Sequence, residues 1–553
     1  MTGLQEILDS TAAEASDDAR GAERAPDVAP QDGPAPTVSA QAEADRVALS
    51  REVLVACDLF RLASADGELV WHQQANAELF RDLMLAAFLR LGDVEVKVLD
   101  HAAVGLDMAA LIGDGQEDLG ERWLRTVGAP LGSELSERIA QAVAGRIVIG
   151  FELPDSLSAV IEASAGALLK LAIHPCRFMD DLLLMGESSH PTFAGALAQS
   201  ALDPRELFWS AGLLRRRLKA VAVLPVEPKL DRLALLAGQM AMDRALISEG
   251  GFLNLAQFSK EIRRIADDHD LLLARAHPYA AFDTASALEL VKIPNVRFTS
   301  SSVYALLASG RVATTVAISS SLLHEARYFG VAAVALAPEA SNGFPLDDRL
   351  TAFRAEALPG AIADAAARLM GDTPDERSAV VRMDGTSLRS VIGETWGLAD
   401  ADRAAPVLPA AVLPDTRVLA SDPRIAVGLV SGWCAIEDWG VWANGPVGTF
   451  AFEWQDRYGD RLTLAVDLAS FPPTPDGVQE IGIWTEGVQI ASVSAPGLGY
   501  KPARAIFVVP KPRFAGSVQL HFVVTDPLSA SELTGGEDAR KLGAGLVSIA
   551  SLI

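Results

Sequence analysis

The sequence predicts an α/β protein with two Rossmann-like halves, followed by an antiparallel β-sandwich. Apolar strand-like runs alternate with helical segments up to about residue 370, a pattern typical of parallel sheets covered on both faces. After about residue 415 the chain changes to short period-two segments broken by Gly, Pro and Asp, which is typical of a sandwich. A chain of 553 residues, half of them apolar, is also too long for a single core.

The predicted boundaries are 1–45 for an N-terminal tail, 46–220 for the first half, 221–410 for the second half and 415–553 for the sandwich. The tail has no aromatic residue and holds ten acidic residues against two arginines. Such a segment buries too little apolar surface to offset its ordering entropy, so we expect it to be disordered.

The elements follow from periodicity. In the first half we predict strands at 53–56, 94–99, 146–151 and 168–173, with helices over 73–91, 115–144, between the last two strands, and over 192–219. The second half has predicted strands at 233–237, 271–276, 296–298, 313–317 and 331–335, and helices over 254–267, 302–308, 321–329 and 349–370. Sandwich strands are predicted at 448–454, 462–466, 479–484 and 518–524.

Composition excludes several classes of function. With a net charge of −25, nothing favours nucleic acid or an anionic membrane as the main partner, although an acidic chain can still contain a locally basic groove. Three scattered cysteines suit a reducing cytoplasm and suggest no zinc site, and no apolar run is long enough to span a bilayer. The start of the chain does not read as a secretory signal, so a cytoplasmic location is expected. A basic cluster at 215–219 is either a solvated helix face or a peripheral contact with membrane phosphates.

Polar residues end several of the strand-like runs. Asp243 follows the strand at 233–237, His277-Pro278 ends the strand at 271–276, and Ser319-Ser320-Ser321 opens the helix that carries Glu325. Because ligand sites in open α/β sheets lie at the carboxyl ends of the strands, these residues predict one cleft for a charged ligand. Asp243 can be a nucleophile or base, His277 can contact a phosphate, and the helix start can offer N–H groups to it.

Each of these residues also has a purely structural interpretation. Asp243 can be a helix cap, His277 a core-edge histidine and the serines simple N-caps, while Tyr304 in the preceding helix can be core. Further candidates are Glu152 after the strand at 146–151, which can be a helix-entry acid, and the His174-Pro175 pair with Arg177 behind it.

Four motifs together resemble a known family. They are Gly238-Gln239-Met240-Ala241-Met242-Asp243, Ala276-His277-Pro278, Ser301-Ser302-Val303-Tyr304 and Ile318-Ser319-Ser320-Ser321 with Glu325. The combination resembles the bacterial capsule polysaccharide synthesis proteins, and more narrowly the retaining β-Kdo transferases (Kdo is 3-deoxy-octulosonate), over roughly 145–340. The basic residue that often precedes His-Pro in these proteins is displaced here to Arg275.

The resemblance implies a GT-B glycosyltransferase of surface polysaccharide (capsule, O-antigen or lipopolysaccharide) assembly that uses CMP-Kdo. It assigns the nucleophile to Asp243, the leaving-phosphate contact to His277 and the acceptor-side acid or base to Glu152. The remaining predicted donor contacts are Ser319, Ser320, Ser321, Glu325, Gln239, Tyr304 and Arg275. Arg177, Arg244 and His174 are candidates for the sugar carboxylate or the acceptor. We expect no cofactor and no essential metal, and a glycan acceptor that can be lipid-linked.

The segment from Gly432 to Trp442, with a glycine-rich block at 535–543, resembles β-sandwich modules appended to bacterial glycosyltransferases. Trp433, Trp439 and Trp442 can stack on sugar rings, or they can fill the sandwich core.

Other functions stay open on the sequence. A GT-B transferase can use another donor, such as CMP-sialate or a UDP-sugar. A non-catalytic protein can bind or assemble glycan, and an epimerase or hydrolase can share the same cleft.

Overall fold

The computed structural model describes residues 49–65, 68–107, 119–179, 182–219, 229–248, 251–278, 280–338, 350–372, 410–471, 477–497, 501–513, 516–529 and 540–552. The predicted tail at 1–45 and most of the glycine-rich block at 535–543 lie outside these ranges.

The first half alternates strands and helices, as its periodicity predicts. Its elements are β1 (Glu52–Ala56), β2 (Leu62–Ala65), β3 (Glu68–Trp71), α1 (Gln74–Phe88), β4 (Glu95–Leu99), α2 (Leu119–Gly128), α3 (Ser133–Val143), β5 (Ile147–Phe151), α4 (Asp155–Ser164), β6 (Ala167–Ile173), β7 (Leu183–Glu187), α5 (Pro191–Ser200) and α6 (Pro204–Lys219). The β2–β3 hairpin and β7 were not predicted, because their runs are short and lack clear periodicity.

The second half repeats the alternation. Its elements are β8 (Leu233–Ala237), a 3-10 turn (Arg244–Leu246), β9 (Ile247–Ser248), β10 (Gly251–Phe252), α7 (Ser259–Asp267), β11 (Leu271–Arg275), α8 (Thr284–Val291), β12 (Val296–Phe298), α9 (Val303–Ala308), β13 (Val312–Ala317), α10 (Leu322–Tyr328), β14 (Ala332–Ala335), β15 (Phe353–Arg354) and α11 (Leu358–Met370). Local chemistry sets several helix ends. For example, Asp283 caps α8 by accepting from Ser286 N at 2.9 Å, and α11 ends at Gly371 with φ 85°.

The sandwich contains β16 (Val418–Leu419), α12 (Pro423–Ala426), β17 (Leu429–Ser431), β18 (Val441–Asn444), β19 (Val447–Glu453), β20 (Arg461–Ala469), β21 (Val478–Thr485), β22 (Val488–Pro496), β23 (Ala503–Pro510), β24 (Ser517–Val523) and β25 (Leu542–Leu552). One sheet has the order β16-β25-β20-β23 with β18 also paired to β25, and the other has the order β17-β19-β24-β21-β22. All their pairings are antiparallel, and inward residues such as Phe450, Phe452 and Phe522 are fully buried between them.

Two largely parallel sheets form the α/β part. The first has the order β15-β7-β6-β5-β1-β4, and the second has the order β12-β11-β8-β13-β14. In the first, β4, β1, β5 and β6 are parallel, whereas β7 and β15 are antiparallel at one edge. The central strands β5 and β8 are buried along their whole length, which explains their unbroken apolar sequences.

The end of the second half returns to the first sheet. β15 pairs with β7, and α11 packs into the first core, where Leu358 and Ile362 are each 1% exposed. The sequence boundaries placed this segment with the second half, since nothing in its own pattern specifies the sheet that it covers.

The sandwich is joined to the second sheet by a backbone clamp. Gln519 Nε2 donates to Phe298 O and its Oε1 accepts from Phe298 N, both at 2.9 Å. Phe298 lies on β12, the edge strand of the second sheet. The Gln519 amide therefore supplies hydrogen-bond partners to backbone groups at an edge that no further strand among the described residues covers. Val447 and Val523 of the sandwich also belong to the apolar cluster that covers the second sheet. The two parts therefore share a core.

Candidate active site between the two sheets

Loops at the carboxyl ends of strands from both sheets meet in one cleft. Arg244, after β8, donates through Nη1 to the carbonyl oxygens of Glu152 (3.3 Å) and Leu153 (2.7 Å), which follow β5. Arg61, after β1, donates through Nη2 to the carbonyl oxygen of Met242 at 2.6 Å. Because one loop of each pair belongs to each sheet, these bonds join the carboxyl edges of the two sheets, where ligand sites of this architecture lie.

Glu152 and Asp243 place two carboxyl groups in this cleft, one from each sheet. Desolvation raises the pKa of Glu152, and the charge of Asp243 raises it further, while Arg177 and Arg244 oppose the rise. Asp243 Oδ1 accepts from Ala245 N at 3.0 Å, so this carboxyl is held by its own 3-10 turn. Two carboxyl groups in different surroundings can divide the roles of nucleophile and acid or base.

The backbone at Glu152 is strained. Its φ is 48°, in the left-handed region that glutamate seldom adopts. Two residues earlier, near the end of β5, a Cβ added at Gly150 would lie 2.2 Å from Leu153 Cδ1, so the glycine leaves room for the chain to fold back. Strain of this kind persists where the surrounding structure fixes a functional group, so it supports a role for Glu152 beyond helix entry.

Arginines surround the carboxyl pair. The Arg61 guanidinium lies 4.4 Å from the centroid of the Trp123 ring, and burial lowers its pKa while the charges of Asp243 and Glu152 raise it. The charge of Arg177 acts on both Glu152 and His277. Planar guanidinium groups bind carboxylates and phosphates through paired hydrogen bonds, so this cleft suits an anionic ligand.

His277 lies in the same electrostatic environment, directly after β11. Desolvation lowers its pKa, as do the charges of Arg177 and Arg275, and Asp243 alone opposes them. The ring is therefore neutral at pH 7 and can donate one hydrogen bond to a phosphate oxygen. Arg275 Nε donates to Ser301 O at 2.8 Å, which ties the loops after β11 and β12 together.

Gln239 and Ser319 hold the Asp243 loop against the end of β13. Gln239 Oε1 accepts from Ser319 N at 2.9 Å, and its Nε2 donates to Ser319 Oγ at 3.2 Å. The Ser319 hydroxyl in turn donates to Ala245 O. These groups thus position the Asp243 loop. Ser320 and Ser321 are half-buried, and Ser320 Oγ accepts from Leu322 N at 3.3 Å.

Glu325 and Tyr304 point inward, below the cleft. Glu325 is 3% exposed, and its Oε1 accepts from Tyr304 OH at 2.8 Å and from Arg177 N at 2.7 Å. Burial raises the pKa of Glu325 to about 7. The contact joins α10 of the second half to the loop after β6. Both side chains were predicted to contact the donor, and in this structure their polar atoms bond to each other and to the backbone.

His174 is buried under the loop that carries Arg177. It is 1% exposed, its Nδ1 accepts from Cys176 N at 3.1 Å, and burial lowers its pKa to about 4. A neutral, enclosed ring does not reach the cleft. The resemblance of His174-Pro175 to His277-Pro278 therefore reflects similar strand endings, and Arg177 is the group from this segment that acts on the cleft.

Sequence reasoning missed the loop after β1. Asp58 is 5% exposed, and Asp58 Oδ2 accepts from Trp123 Nε1 at 2.7 Å while its Oδ1 accepts from Phe60 N at 2.9 Å. Burial raises the pKa of Asp58. This carboxyl organises Trp123, on which Arg61 lies. The rule that selected Glu152 and His277, a polar residue at the carboxyl end of a strand, would also have selected Asp58 and Arg61.

A second cleft opens where the second sheet meets the sandwich. Its volume is about 430 Å³. The lining residues are Arg275, Ala276, His277, Pro278, Ala280, Ala281, Thr299 and Ser300 from the α/β part, and Leu429, Val430, Ser431, Gly432, Trp433 and Asn444 from the sandwich. We call it the junction cleft. His277 belongs to this wall and to the charge cluster with Asp243, so the two clefts share a residue.

The three tryptophans proposed for glycan stacking differ in exposure. Trp442 is 5% exposed and packs against Trp439 and Phe471, so it fills a small core. Trp433 donates from Nε1 to Thr449 O at 2.7 Å and lines the junction cleft. Trp439 is half-buried and donates to Glu437 Oε2 at 2.7 Å. The stacking hypothesis therefore fails for Trp442 and stays open for the other two.

Two further statements hold only for the residue ranges that the structure describes. Within them, no group of three or more His, Cys, Asp or Glu side chains is placed to hold a metal ion, and the expectation of a metal-free reaction stays a prediction. Among the helices in those ranges, none combines the length and apolarity that crossing a membrane requires.

Comparison with known proteins finds no matching family model and no curated protein that matches. Among solved structures, the chain is similar to the KpsC β-Kdo 2,7 transferase of Thermosulfurimonas dismutans, with 11% identity, a TM-score of 0.29, and coverage of 57% of this chain and 89% of that one. It is also similar to the carbohydrate-binding module CBM36 in complex with calcium and xylotriose (13% identity, TM-score 0.16, 25% of this chain, 98% of that one). A third similar structure is CsCBM6-3 from Clostridium stercorarium with cellobiose (8% identity, TM-score 0.16, 26% and 96%).

Proposed function

We propose that this protein is a glycosyltransferase that transfers a sugar from a nucleotide donor with retention, through a covalent adduct on Asp243. The best candidate donor is CMP-Kdo, in a GT-B arrangement of the two α/β halves. The observation that carries the proposal is the carboxyl pair, with Asp243 from one sheet and Glu152 from the other, among arginines and next to a neutral His277. A retaining double displacement needs two carboxyl groups, one as the nucleophile and one as the acid or base.

In the first step, the Asp243 carboxylate attacks the anomeric carbon. The bond from that carbon to the phosphate oxygen breaks, and the nucleotide leaves with the electron pair. His277 donates a hydrogen bond to the departing phosphate, and a nearby guanidinium offsets its negative charge. This step requires no proton transfer, which agrees with a neutral His277 acting as a hydrogen-bond donor.

In the second step, Glu152 removes the proton from an acceptor hydroxyl. The acceptor oxygen attacks the anomeric carbon, the bond to Asp243 breaks, and the carboxylate is regenerated. A raised pKa of Glu152 suits this role, since a base works best when its pKa lies near the working pH. The proton on Glu152 then passes to solvent.

The donor's own carboxylate needs a cation if the sugar is a keto acid. Arg177 and Arg61 are the strongest candidates, since the charge of Arg177 acts on Glu152 and Arg61 interacts with both Asp243 and Glu152. Arg244 is engaged with two backbone carbonyls and with Asp155 Oδ1 at 3.3 Å, so its first role is to join the two loops.

Intact-protein mass spectrometry with CMP-Kdo generated in situ tests the proposal. We expect the wild type to gain the mass of one Kdo, and Asp243→Asn to gain nothing. Asparagine keeps an oxygen that can accept from Ala245 N, so the turn is preserved. Asp155→Asn is the matched control, because its carboxylate is 96% exposed at the edge of the same site, and it should still form the adduct.

Different failures point to different alternatives. An adduct that survives in Asp243→Asn would exclude this nucleophile. Binding of CMP without any adduct would indicate another CMP-sugar, such as CMP-sialate. Binding of UDP instead would indicate a UDP-sugar donor, and absence of any nucleotide binding would favour a glycan-binding or assembly protein. Turnover without an acceptor would favour a hydrolase or epimerase.

A further inference from the structure

Helix α6 is apolar on two sides. Its inner stripe, formed by Leu207, Ala211, Leu214 and Leu218, is buried in the core that also holds α9 and α10. On its outward side, Trp209 is 71% exposed, Phe208 60% and Leu213 59%. Phe208 packs against Tyr328, with ring centroids 4.8 Å apart. One buried stripe is enough to hold a surface helix, so the packing of the described residues does not explain why Trp209 and Leu213 are apolar.

The outward side of α6 is also cationic. Arg215, Arg216, Arg217 and Lys219 are exposed in its last two turns. Trp209, Leu213 and Arg216 are four and then three residues apart, a spacing that places them on one face of the helix. Between residues 203 and 219 the acidic residues are Asp203 and Glu206, which bond to Arg205 and Arg354. This face is therefore basic within a chain of net charge −25.

We propose that the outward face of α6 docks on an anionic lipid bilayer surface. Aromatic and aliphatic side chains beside arginine and lysine are the composition of helices that lie in the membrane interface. The cations would meet lipid phosphates while the apolar side chains enter the headgroup boundary. A second copy of this chain is a poorer partner, because a symmetric dimer through this face would bring the exposed cations of both copies together.

The position of α6 gives this docking a consequence. The helix packs on α9 and α10, which begin beside Ser302 and Ser321 at the carboxyl edge of the second sheet. A bilayer bound to α6 would hold that edge near the membrane, where a lipid-linked acceptor resides. The docking itself does not depend on the proposed reaction, so its test needs no substrate.

Vesicle flotation of the full chain tests the proposal. We expect binding to vesicles of phosphatidylcholine with phosphatidylglycerol, much weaker binding to phosphatidylcholine alone, and loss of binding as salt is added. Trp209→Ser with Leu213→Ser should lower the partition coefficient at least about tenfold, because it removes the apolar anchor. Arg215→Gln with Arg216→Gln should lower it by roughly 25-fold, at about fivefold for each basic residue near an anionic surface.

Two control pairs match these changes elsewhere. Ile506→Ser with Val508→Ser alters an exposed apolar pair on β23, and Lys260→Gln with Arg263→Gln removes two exposed charges at α7. Both should bind vesicles like the wild type, and unchanged melting temperatures would show that all variants fold. The proposal is overturned if the wild type binds vesicles equally well with and without phosphatidylglycerol, or if the control pairs weaken binding as much as the α6 pairs. It is also overturned if light scattering shows self-association that depends on α6 instead.

Discussion

The two clefts of this protein share His277 and otherwise differ in chemistry. The cleft between the sheets gathers Glu152, Asp243 and several arginines, and desolvation shifts the pKa values of Glu152, Arg61 and His277. The junction cleft has Arg275 and His277 at one wall, and its other lining residues are uncharged: hydroxyl, amide, indole and aliphatic groups. Charged, desolvated groups support bond-making chemistry, whereas neutral polar groups beside an indole suit a polyhydroxyl ligand. Under the proposed function, we therefore expect the reaction at the first cleft and glycan recognition at the second.

The largest expected effect comes from removing the proposed base. Glu152→Gln should lower the transfer rate by roughly 10²- to 10⁴-fold, because the acceptor hydroxyl loses its proton acceptor. A base is active when deprotonated, and the pKa of Glu152 is raised, so wild-type activity should rise with pH above the range of an ordinary glutamate. The measurement is the initial rate against pH for both proteins.

The glutamine variant should lose this rising limb. Glu162→Gln, at an exposed position on the neighbouring α4, is the control and should behave like the wild type. If Glu152→Gln keeps the full rate and pH profile, Glu152 is not the base, and the distinction between a reactive cleft and a recognition cleft is wrong.

The next expected effect is that of the buried Glu325, below the charged cleft, on the free energy of unfolding. The pKa of Glu325 is about 7, above its ordinary value of 4.5, so the folded state favours the protonated form. The contribution of the protonated Glu325 carboxyl group to the free energy of unfolding is complete below about pH 4.5 and is lost as the pH rises to about 7. The difference between 7 and 4.5 corresponds to about 3 kcal/mol. Glu325→Gln should therefore be more stable than the wild type at pH 8 by up to about that amount.

Urea unfolding at pH 5 and pH 8 measures this difference. The Glu325→Gln variant keeps the two hydrogen bonds, since a glutamine oxygen can still accept from Tyr304 OH and Arg177 N. Glu206→Gln, which alters a half-exposed surface pair with Arg354, is the control and should show no such gain at pH 8. A wild-type stability that is flat between pH 5 and pH 8 would contradict the account.

A smaller loss of stability is expected at the Gln519 clamp, which joins the sandwich to the second sheet. Gln519→Ala leaves Phe298 N–H and C=O without their partner, which should cost about 1–3 kcal/mol in the free energy of unfolding. Gln489→Ala, at an exposed position on β22, should cost little. Differential scanning calorimetry would reveal the loss. Equal melting temperatures for the two variants would show that the clamp does not hold the junction together.

The smallest expected effect tests directly whether the two clefts have different roles. Asn444→Ala removes an amide from the wall of the junction cleft, which should raise the KM for the acceptor about fivefold, the value of one hydrogen bond of about 1 kcal/mol. Formation of the Asp243 adduct should be unchanged, because that step needs only the donor. A lower rate of adduct formation at an unchanged acceptor KM would move the junction cleft to the donor side.

Much of the architecture could be predicted from local pattern. Buried parallel strands such as Leu233–Ala237 are unbroken apolar runs, because both of their faces are covered. The sandwich strands alternate with period two, because only one of their faces is buried. The sequence pattern therefore predicts how many faces of each strand are buried. The carboxyl-end rule likewise selected Asp243, His277 and Glu152, and in the structure the charge of Asp243 acts on the other two. The β2–β3 hairpin and β15 escaped prediction because strands of two to four residues carry too little periodicity.

The sequence by itself determined the kinds of element, their order and which polar residues end the strands, because these depend on neighbours along the chain. The tertiary structure decided which side chains meet. Only packing turns Glu325 and Tyr304 inward, returns α11 to the first sheet, brings Arg61 to Asp243 and sets Gln519 against the edge of β12. Each of these contacts joins residues from different elements, and the desolvation that shifts the pKa values of Arg61 and Glu325 exists only in the folded protein.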